Sequence, residues 1–267
     1  MKPRIIATTL GLILCSAAIA QSQTAKPLPI PFKPDPAFTI DGNLTDWSQV
    51  PGKIMLNSRD HATYGAQRWK GPQDLSATVQ LAWRQETLFI GAHVTDDILR
   101  QTQRGASLWK GDHIELYVDT APDTDAEKNL FGSRQFQIGL SPGNFSHTGD
   151  ALTDLAPEAY VYLPVGTSAK GTTVAAQRTA DGYTIEASIP WSVFDFKPQV
   201  GLPLNIEVAV SDTDGVEAAQ EKMLTIGTSP WQRNRNRLLP GILANADGSA
   251  PASITTTRIF ESSSLQP

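Results

Sequence analysis

Apolar and polar residues alternate along most of this chain, and this spacing restricts the folds that the sequence can adopt. In residues 75–83 every second side chain is apolar, beginning with Leu75 and ending with Trp83. After a turn at Gln85 and Glu86 the alternation returns in residues 87–94. A period of two places all the apolar side chains of a strand on one face, so the pair predicts an antiparallel hairpin with one buried face.

Shorter runs of the same kind follow, separated by turns rich in Gly, Pro, Asp and Asn. They occupy residues 114–118, 135–140, 159–163, 173–177, 183–189, 204–210, 223–226 and 253–260. Helical periodicity is almost absent; the exception is the segment 190–195, where Pro190 suits the first position of a helical turn. The pattern predicts an all-β fold, an antiparallel β-sandwich with one short helical turn.

The first 20 residues have the composition of a secretory signal peptide. Lys2 and Arg4 precede the apolar run 5–19, and an Ala-Ile-Ala site ends at Ala20. We therefore expect export to the periplasm or the medium, with lipid attachment at Cys15 as the alternative. No later segment approaches the roughly 20 apolar residues that a membrane span requires.

The remainder divides into three parts. Residues 21–37 are a proline-rich lead-in, expected to be an extended polyproline stretch that acts as a spacer or leads into the edge of a sheet. Residues 38–260 carry the strand pattern and form the predicted sandwich. Residues 261–267 are polar and are expected to be a disordered tail.

Charge and cysteine content restrict the partners. Removal of the leader takes away Lys2 and Arg4, which leaves a net charge of −7, and it also removes the only cysteine. Disulfides therefore do not stabilise the mature chain. An acidic chain without basic clusters argues against nucleic acid and anionic membranes, and small neutral ligands or cations fit better.

Catalytic motifs are weak. Residues 139–143 match the string G-x-S-x-G, but Pro142 follows the serine and has no N–H to donate to an oxyanion. A β-turn after a strand is the better interpretation. The four histidines lack metal-binding spacing, and His93 and His113 are interpreted as ordinary surface residues. The sequence therefore predicts a protein that is not an enzyme.

Several acidic positions are candidates for a structural calcium site. Calcium prefers carboxylate and carbonyl oxygens, and such groups cluster around Asp46, around Asp96 and in the stretch 212–217. Asp46, Asp96 and Asp112 are the candidate ligands. Plain turns are the alternative, because Asp is also a common turn residue. We expect no organic cofactor.

Two tryptophans occur where the pattern does not predict burial. Trp109 precedes Lys-Gly-Asp, and Trp231 lies in a turn-rich segment. An exposed indole stacks on the C–H face of a sugar ring, and a nearby acid binds the hydroxyls. Glu115 lies with His113 on the polar face of the strand that follows Trp109. The alternative is that both indoles cap the ends of the sandwich.

Four motifs occur in the order found in a known family, and together they span most of residues 38–245. They are Ile40-Asp-Gly with Asp46-Trp47, Leu88-Phe-Ile-Gly-Ala-His-Val-Thr-Asp-Asp97, Trp109-Lys-Gly-Asp-His-Ile-Glu-Leu-Tyr-Val-Asp119 and Gly182-Tyr-Thr-Ile-Glu-Ala-Ser-Ile-Pro-Trp191. In this arrangement the chain resembles the family 9 carbohydrate-binding modules.

The resemblance implies an immunoglobulin-like β-sandwich of the DOMON-like group that carries calcium and holds the end of a sugar chain between two tryptophans. Trp109 and Trp231 match the tryptophans, and Glu115 matches the acid. Two positions depart from the family: Gln137 replaces an arginine and Thr228 replaces an asparagine. Both can still form hydrogen bonds, but the charged donor is lost.

The predicted function is therefore that of a non-catalytic, exported carbohydrate-binding protein. Association with a separate glycan-active enzyme or a transporter is a further expectation. Two alternatives remain open. One is a haem-binding, DOMON-type electron-transfer module that uses Met55 or Met223, and the other is a cell-surface assembly protein that uses the same face for a protein partner.

Overall fold

The structure is a computed structural model that describes residues 26–122, 124, 130–145, 155–217, 219–227 and 234–251. Within these ranges the chain forms two β-sheets that pack face to face, which confirms the predicted all-β sandwich. The strands are β1 (Leu28–Pro31), β2 (Ile54–Leu56), β3 (Ala62–Tyr64), β4 (Leu75–Trp83), β5 (Thr87–Asp96), β6 (His113–Asp119), β7 (Gln135–Ser141), β8 (Glu158–Leu163), β9 (Thr173–Arg178), β10 (Gly182–Pro190), β11 (Pro203–Asp212), β12 (Lys222–Thr225) and β13 (Leu239–Ala244).

The larger sheet has the order β1-β13-β11-β6-β7-β8, with β12 and β3 added beside β11, and the smaller has the order β2-β4-β5-β10-β9. The predicted hairpin is confirmed as β4 and β5, which pair in register from Leu75 opposite Asp96 to Trp83 opposite Leu88. One pairing departs from the antiparallel prediction, because β1 runs parallel to β13. Part of the proline-rich lead-in is thus an edge strand, a position that tolerates proline.

Short 3-10 helices connect the strands. In the described residues they are Leu44–Trp47, Arg59–His61, Gly105–Lys110, Trp191–Phe194 and Arg235–Arg237. The predicted helical turn is confirmed as Trp191–Phe194, but the expectation of a single turn is wrong, because 3-10 segments of three to six residues are too short to show periodicity. Among the described residues no helix is both long and apolar enough to cross a membrane. The signal peptide, the strand 253–260 and the tail lie outside the described residues.

The core lies between the two sheets. The apolar side chains of β6, Ile114, Leu116 and Val118, are fully buried there, and they belong to the same cluster as Ile90 and Val94 of β5. Because side chains alternate along a strand, His113, Glu115 and Tyr117 project from the opposite face of the larger sheet. The core therefore fixes which side chains of β6 are available on the outer face.

A second, smaller cluster covers the outer face of the smaller sheet and explains two of the sequence motifs. The ring of Trp47 stacks on that of Phe38 with centroids 4.0 Å apart. Its indole N–H donates to Glu186 Oε1 at 2.6 Å, and the Gly42 N–H donates to Glu186 Oε2 at 2.7 Å. The indole also lies directly over Gly91, where an added Cβ would be 2.6 Å from Trp47 Cε2. The Asp-Gly, Trp and Glu residues of these motifs therefore have a structural role, because they hold this part of the chain against the smaller sheet.

Substitution of Gly91 tests this packing. We expect Gly91→Ala to lower the free energy of unfolding by about 1–3 kcal/mol, because the added methyl group displaces a packed indole. Gly132→Ala is the matched control, since its Cβ would lie 3.4 Å from the nearest atom, Gln135 Oε1. Chemical denaturation of both variants measures the difference, and equal stabilities would contradict the packing described.

Candidate functional site

Trp109 is presented on the 3-10 helix Gly105–Lys110, which lies against β8 and β7. Its neighbour Leu108 is fully buried, whereas Trp109 is 37% exposed. The Gly105 N–H donates to Glu158 Oε1 at 2.9 Å, which fixes the start of the helix to β8. The Lys110 ammonium lies 5.7 Å from the centre of the Trp109 ring. The helix therefore holds a large, partly exposed aromatic ring on a fixed support.

The outer face of β6 is polar, as the alternation predicted, but the prediction that it is an exposed surface is wrong. His113, Glu115 and Tyr117 are 0%, 4% and 3% exposed, so His113 is not a surface histidine. Tyr117 packs in an apolar cluster with Met223 of β12 and with Leu238. Alternation identifies the two faces of a strand, but it does not show whether another part of the chain covers a face.

Glu115 is the centre of a hydrogen-bond network on this face. The Tyr117 hydroxyl donates to Oε2, and Gln137 Nε2 donates to Oε1 at 3.2 Å. His113 Nε2 lies 3.5 Å from Oε1. Burial raises the pKa of Glu115, but His113, Tyr117 and Gln137 outweigh it and bring the pKa below its ordinary value. Glu115 is therefore an ionised acceptor at neutral pH, and a carboxylate has about four acceptor positions.

Gln137 bonds both members of this network, because its Nε2 also donates to the Tyr117 hydroxyl at 3.2 Å. Its position on β7 is directly opposite Tyr117 on β6. A neutral amide thus stands where the family resemblance implies an arginine. The partners that support the Glu115 charge here are His113 and Tyr117 together with that amide.

Tyr162 connects the Trp109 helix to Glu115 and was missed by the sequence analysis. Gly139 pairs with Glu115 across β6 and β7. An added Cβ at Gly139 would be 2.7 Å from Leu108 Cδ1 and 2.8 Å from Tyr162 Cε2, so glycine makes room for both side chains. The Tyr162 hydroxyl faces the backbone of Trp109, and burial followed by the Glu115 charge raises its pKa. The hydroxyl is buried without a hydrogen-bond partner in the described part of the chain.

The other two predicted ligand-binding residues, Thr228 and Trp231, lie outside the described residues. The chain is described again from Asn234, and Arg235 is anchored on the same sheet. Its guanidinium forms an ion pair with Asp119 at 2.7 Å and donates to the Ala121 carbonyl at 2.6 Å. Arg235 is therefore held at the C-terminal end of β6.

A buried cluster of carboxylates lies beyond the other end of β6. Asp96 and Asp112, both predicted as calcium ligands, are 5% and 1% exposed. Burial, followed by the charge of Asp96, raises the pKa of Asp112. Oxygens of Asp96, Asp212 and Asp214 lie within 4.8 Å of one another. The acid-rich stretch that begins at Asp212 is thus brought together with the Asp96 position.

Lys222 supplies one cation to this cluster. Its ammonium lies 2.7 Å from Asp74 Oδ1, 2.9 Å from Asp212 Oδ2 and 2.9 Å from Asp214 Oδ2, and its side chain is 1% exposed. Burial lowers the pKa of Lys222, but the three carboxylates outweigh burial and raise it. The ammonium has three protons and faces three carboxylates. Asp74 and Lys222 were not identified from the sequence.

The cluster has more negative charge than Lys222 compensates. Burial is the largest cause of the raised pKa values of Asp96 and Asp212, and the charges of neighbouring carboxylates add to it. The pKa of Asp96 rises to about 7 and that of Asp212 to about 9. Asp96 Oδ2 and Asp212 Oδ1 are buried and accept no hydrogen bond from the described residues. The hydroxyl of Tyr183, fully buried and close to these carboxylates, is likewise unpartnered there. Unpaired buried oxygens on several carboxylates are the donor set that calcium requires.

Asp46 lies elsewhere, on the helix Leu44–Trp47 at the outer face of the smaller sheet. Its Oδ2 accepts from the Thr39 N–H at 3.1 Å, and its other carboxylate oxygen is buried without a partner in the described residues. Its charge contributes to raising the pKa of Glu186, after burial of Glu186 itself. The structure thus brings Asp96 and Asp112 together but does not add Asp46 to them.

The G-x-S-x-G string has a structural explanation. Ser141 is the last residue of β7 and is 1% exposed. Its hydroxyl accepts the N–H of Gly143 at 3.1 Å, and Gly143 has a φ of +79°. This turn uses the serine to satisfy a backbone donor, and it needs glycine because a positive φ strains other residues. The string thus lies at the end of a strand, and a β-turn over these residues stays a prediction.

Comparisons with known proteins agree with this fold. The model of the family described as "Carbohydrate family 9 binding domain-like" matches residues 40–235. A family 9 carbohydrate-binding module from Caldicellulosiruptor kristjanssonii, solved with cellotriose, is similar in structure with a TM-score of 0.60 and 16% identity over 85% of this chain and 100% of the module. The same comparison with a module from that organism bound to glucose covers 86% of this chain and 100% of the module, with a TM-score of 0.60 and 16% identity. No curated protein sequence matches the chain.

Proposed function

Because the chain belongs to the carbohydrate family 9 binding domain-like family, we propose that it is an exported, non-catalytic sugar-binding protein. The sugar stacks on the exposed face of Trp109, and Trp231 forms the opposite wall. Glu115 accepts a hydrogen bond from a sugar hydroxyl, while Gln137 and Thr228 contribute neutral polar contacts. Glucose and cellotriose, which the similar modules hold, are the ligands of first choice.

The observation that carries this proposal is the presentation of Trp109. A tryptophan that is 37% exposed stands on a helix whose neighbouring Leu108 is fully buried. Tyr162 packs beside Leu108 of this helix against Gly139, the residue that pairs with Glu115. A flat apolar ring suits the C–H face of a pyranose, and the ionised Glu115 on the strand that follows supplies an acceptor for its hydroxyl edge.

Isothermal titration with glucose and with cellotriose tests the proposal. We expect saturable one-to-one binding, weakened about tenfold or more in Glu115→Gln, because a hydrogen bond to a buried charged group is lost. The Gln137→Ala variant retains the carboxylate and should lose less. If neither sugar gives any heat at about 10 mM, the binding free energy is weaker than about −3 kcal/mol, and the proposal is contradicted.

We also propose that Asp96, Asp112, Asp212 and Asp214 hold a structural calcium ion. The unpartnered oxygens of Asp96 and Asp212 support this, because buried carboxylates need a cation or a proton. Calcium accepts six to eight oxygen ligands in flexible geometry, which suits a cluster contributed by three separate segments. The ion would add positive charge to that of the buried Lys222 and the exposed Lys70.

The pKa shifts predict how stability depends on pH without calcium. The folded chain binds protons on Asp96 and Asp212 more tightly than the unfolded chain, since the pKa values of these groups rise from 3.8 to about 7 and to about 9. The stability that this provides is present below about pH 4 and is lost as the pH rises through 7 to 9. In a chelating buffer we therefore expect a lower melting temperature at about pH 8 than at about pH 5. Calcium should raise the melting temperature more at the higher pH, and calorimetry with an equal calcium effect at both pH values would contradict the site.

The proposals for export and for partners rest on the sequence. The leader supports a periplasmic or secreted location, and an association with a glycan-active enzyme or a transporter is consistent with a module that does no chemistry itself. The haem alternative gains no support from the geometry, because Met55 lies 51% exposed in the smaller sheet and Met223 is buried in the larger. Purified protein without a Soret band would exclude it.

A further inference from the structure

The carboxylate cluster and the Trp109 helix share their supports. Asp112 lies three residues after Trp109, and its Oδ1 accepts the Thr213 N–H at 2.9 Å. The Thr213 hydroxyl donates to the carbonyl of Lys110, the last residue of the helix, at 3.2 Å. Thr213 itself stands between Asp212 and Asp214, two members of the cluster. Two hydrogen bonds, one from the Thr213 N–H and one from its hydroxyl, thus connect the cluster to Lys110, the residue after Trp109.

A second path reaches the helix through residues 100 and 101. The Asp112 N–H donates to the Arg100 carbonyl at 2.8 Å, and Asp112 Oδ2 accepts the Arg100 N–H. Gln101 Nε2 donates to the Leu108 carbonyl at 3.0 Å and to the Asp112 carbonyl at 2.9 Å. Gly111 is required here, because an added Cβ would be 2.4 Å from Gln101 Oε1. The helix end is therefore held by Asp112 from both sides.

We propose that a divalent cation at the Asp96–Asp112–Asp212–Asp214 cluster positions the Trp109 ring, so that cation binding and sugar binding are cooperative. Asp112 and Thr213 are positioning residues that act through the helix Gly105–Lys110 and do not touch the sugar. An ion ligated by Asp212 and Asp214 fixes Thr213 on both sides in sequence, and the Thr213 hydroxyl then fixes the Lys110 carbonyl. Without the ion, the cations near these carboxylates in the described part of the chain are Lys222 and Lys70. The sugar in this proposal is taken from the proposed function. The expected effect of the ion on the helix does not depend on that function.

Two readouts test this coupling in the full mature chain. Isothermal titration of cellotriose is performed in calcium and in chelator, and amide hydrogen exchange of residues 105–112 is followed with calcium alone. We expect calcium to raise the affinity for cellotriose about tenfold, and by linkage cellotriose to raise the affinity for calcium by the same factor. Calcium should also slow exchange in residues 105–112 without any sugar present.

The Thr213→Val variant separates positioning from general stability. It removes the hydroxyl that binds the Lys110 carbonyl but keeps the backbone donor to Asp112. Calcium binding should persist, while the calcium effect on cellotriose affinity should fall severalfold. Thr184→Val is the matched control, since the Thr184 hydroxyl donates to the Gly42 carbonyl at 2.6 Å on the smaller sheet. Thr184→Val should retain the full coupling.

The outcomes distinguish this inference from the proposed function. If cellotriose binds equally in calcium and in chelator, or if calcium does not bind, the coupling is wrong and sugar binding stands. If no sugar binds under any condition, the proposed function fails, and hydrogen exchange then decides the coupling. Unchanged exchange in residues 105–112 on addition of calcium would overturn it. Should the chain unfold in chelator, the Thr213→Val titration in saturating calcium decides, because unaltered cellotriose affinity there contradicts the positioning role.

Discussion

Replacement of Trp109 by alanine is expected to weaken sugar binding strongly while leaving the fold intact. A central aromatic contact contributes about 2 kcal/mol or more to binding, which corresponds to a loss of about 30-fold in affinity. The ring is 37% exposed and lies outside the core clusters, so its removal creates no large cavity. Titration calorimetry with cellotriose measures the loss, and the melting temperature reports the fold.

Two variants control this result. Trp109→Phe keeps a flat ring and should retain part of the affinity, because stacking needs the aromatic face more than the indole N–H. Lys110→Ala removes the ammonium that lies 5.7 Å from the ring and should leave most of the affinity. Sugar binding by Trp109→Ala that equals binding by the unaltered chain would place the site elsewhere.

Replacement of Lys222 by methionine is expected to cause the largest loss of stability. The ammonium lies within 2.9 Å of carboxylates from Asp74, Asp212 and Asp214 and is 1% exposed. Removal of one partner from a buried ion pair costs about 3–5 kcal/mol, since the remaining charges are left uncompensated. In a domain of this size the melting temperature should fall by about 10 °C. Thermal unfolding in chelator measures the loss.

A second lysine at the same cluster provides the control. Lys70 lies 3.6 Å from Asp74 Oδ1 and 3.7 Å from Asp214 Oδ2, but its side chain is 68% exposed. Lys70→Met should cost less than about 1 kcal/mol, because exposed ion pairs contribute little. Calcium should restore part of the stability of Lys222→Met, since the vacated position is lined by carboxylates. Equal losses in the two variants would contradict the buried counter-ion role of Lys222.

The strand pattern was sufficient to predict the fold because it depends only on local alternation. The hairpin β4–β5 and the buried face of β6 follow directly from the apolar positions. The edge strand β1 was less visible, since its two prolines obscure alternation and its partner β13 is more than 200 residues away in the chain, with Leu28 opposite Gly241. Pairing between distant edges leaves no signal in the local sequence.

The residue types of the candidate site could be predicted from the sequence, but the burial of their side chains could not. Trp109 was identified because a tryptophan in polar surroundings has no strand face to occupy, and the structure leaves it partly exposed. Glu115 was placed on the polar face of β6, yet its 4% exposure depends on packing around Tyr117 by residues distant in sequence. Tyr162 was missed because its role requires the glycine at position 139 on the neighbouring strand.

The carboxylate cluster could likewise be predicted in part: some of its residues were recognised from the sequence, but their contacts were not. Asp96 and the stretch after Asp212 were recognised from their composition, but Asp74 and Lys222 lie 148 positions apart in the chain and meet only in the fold. A lysine at the start of a strand resembles any surface lysine in sequence. Its burial among three carboxylates becomes visible only when β12 is placed beside β11.

The most direct test of sugar binding at Trp109 is a crystal structure of the full mature chain with cellotriose and calcium. The terminal ring of the sugar is expected to stack on Trp109, with a hydroxyl donating to Glu115 and an ion at Asp96 and Asp212. Sugar bound at another surface, such as the groove of about 360 Å³ lined by Phe32, Gln85 and Asn245, would contradict it.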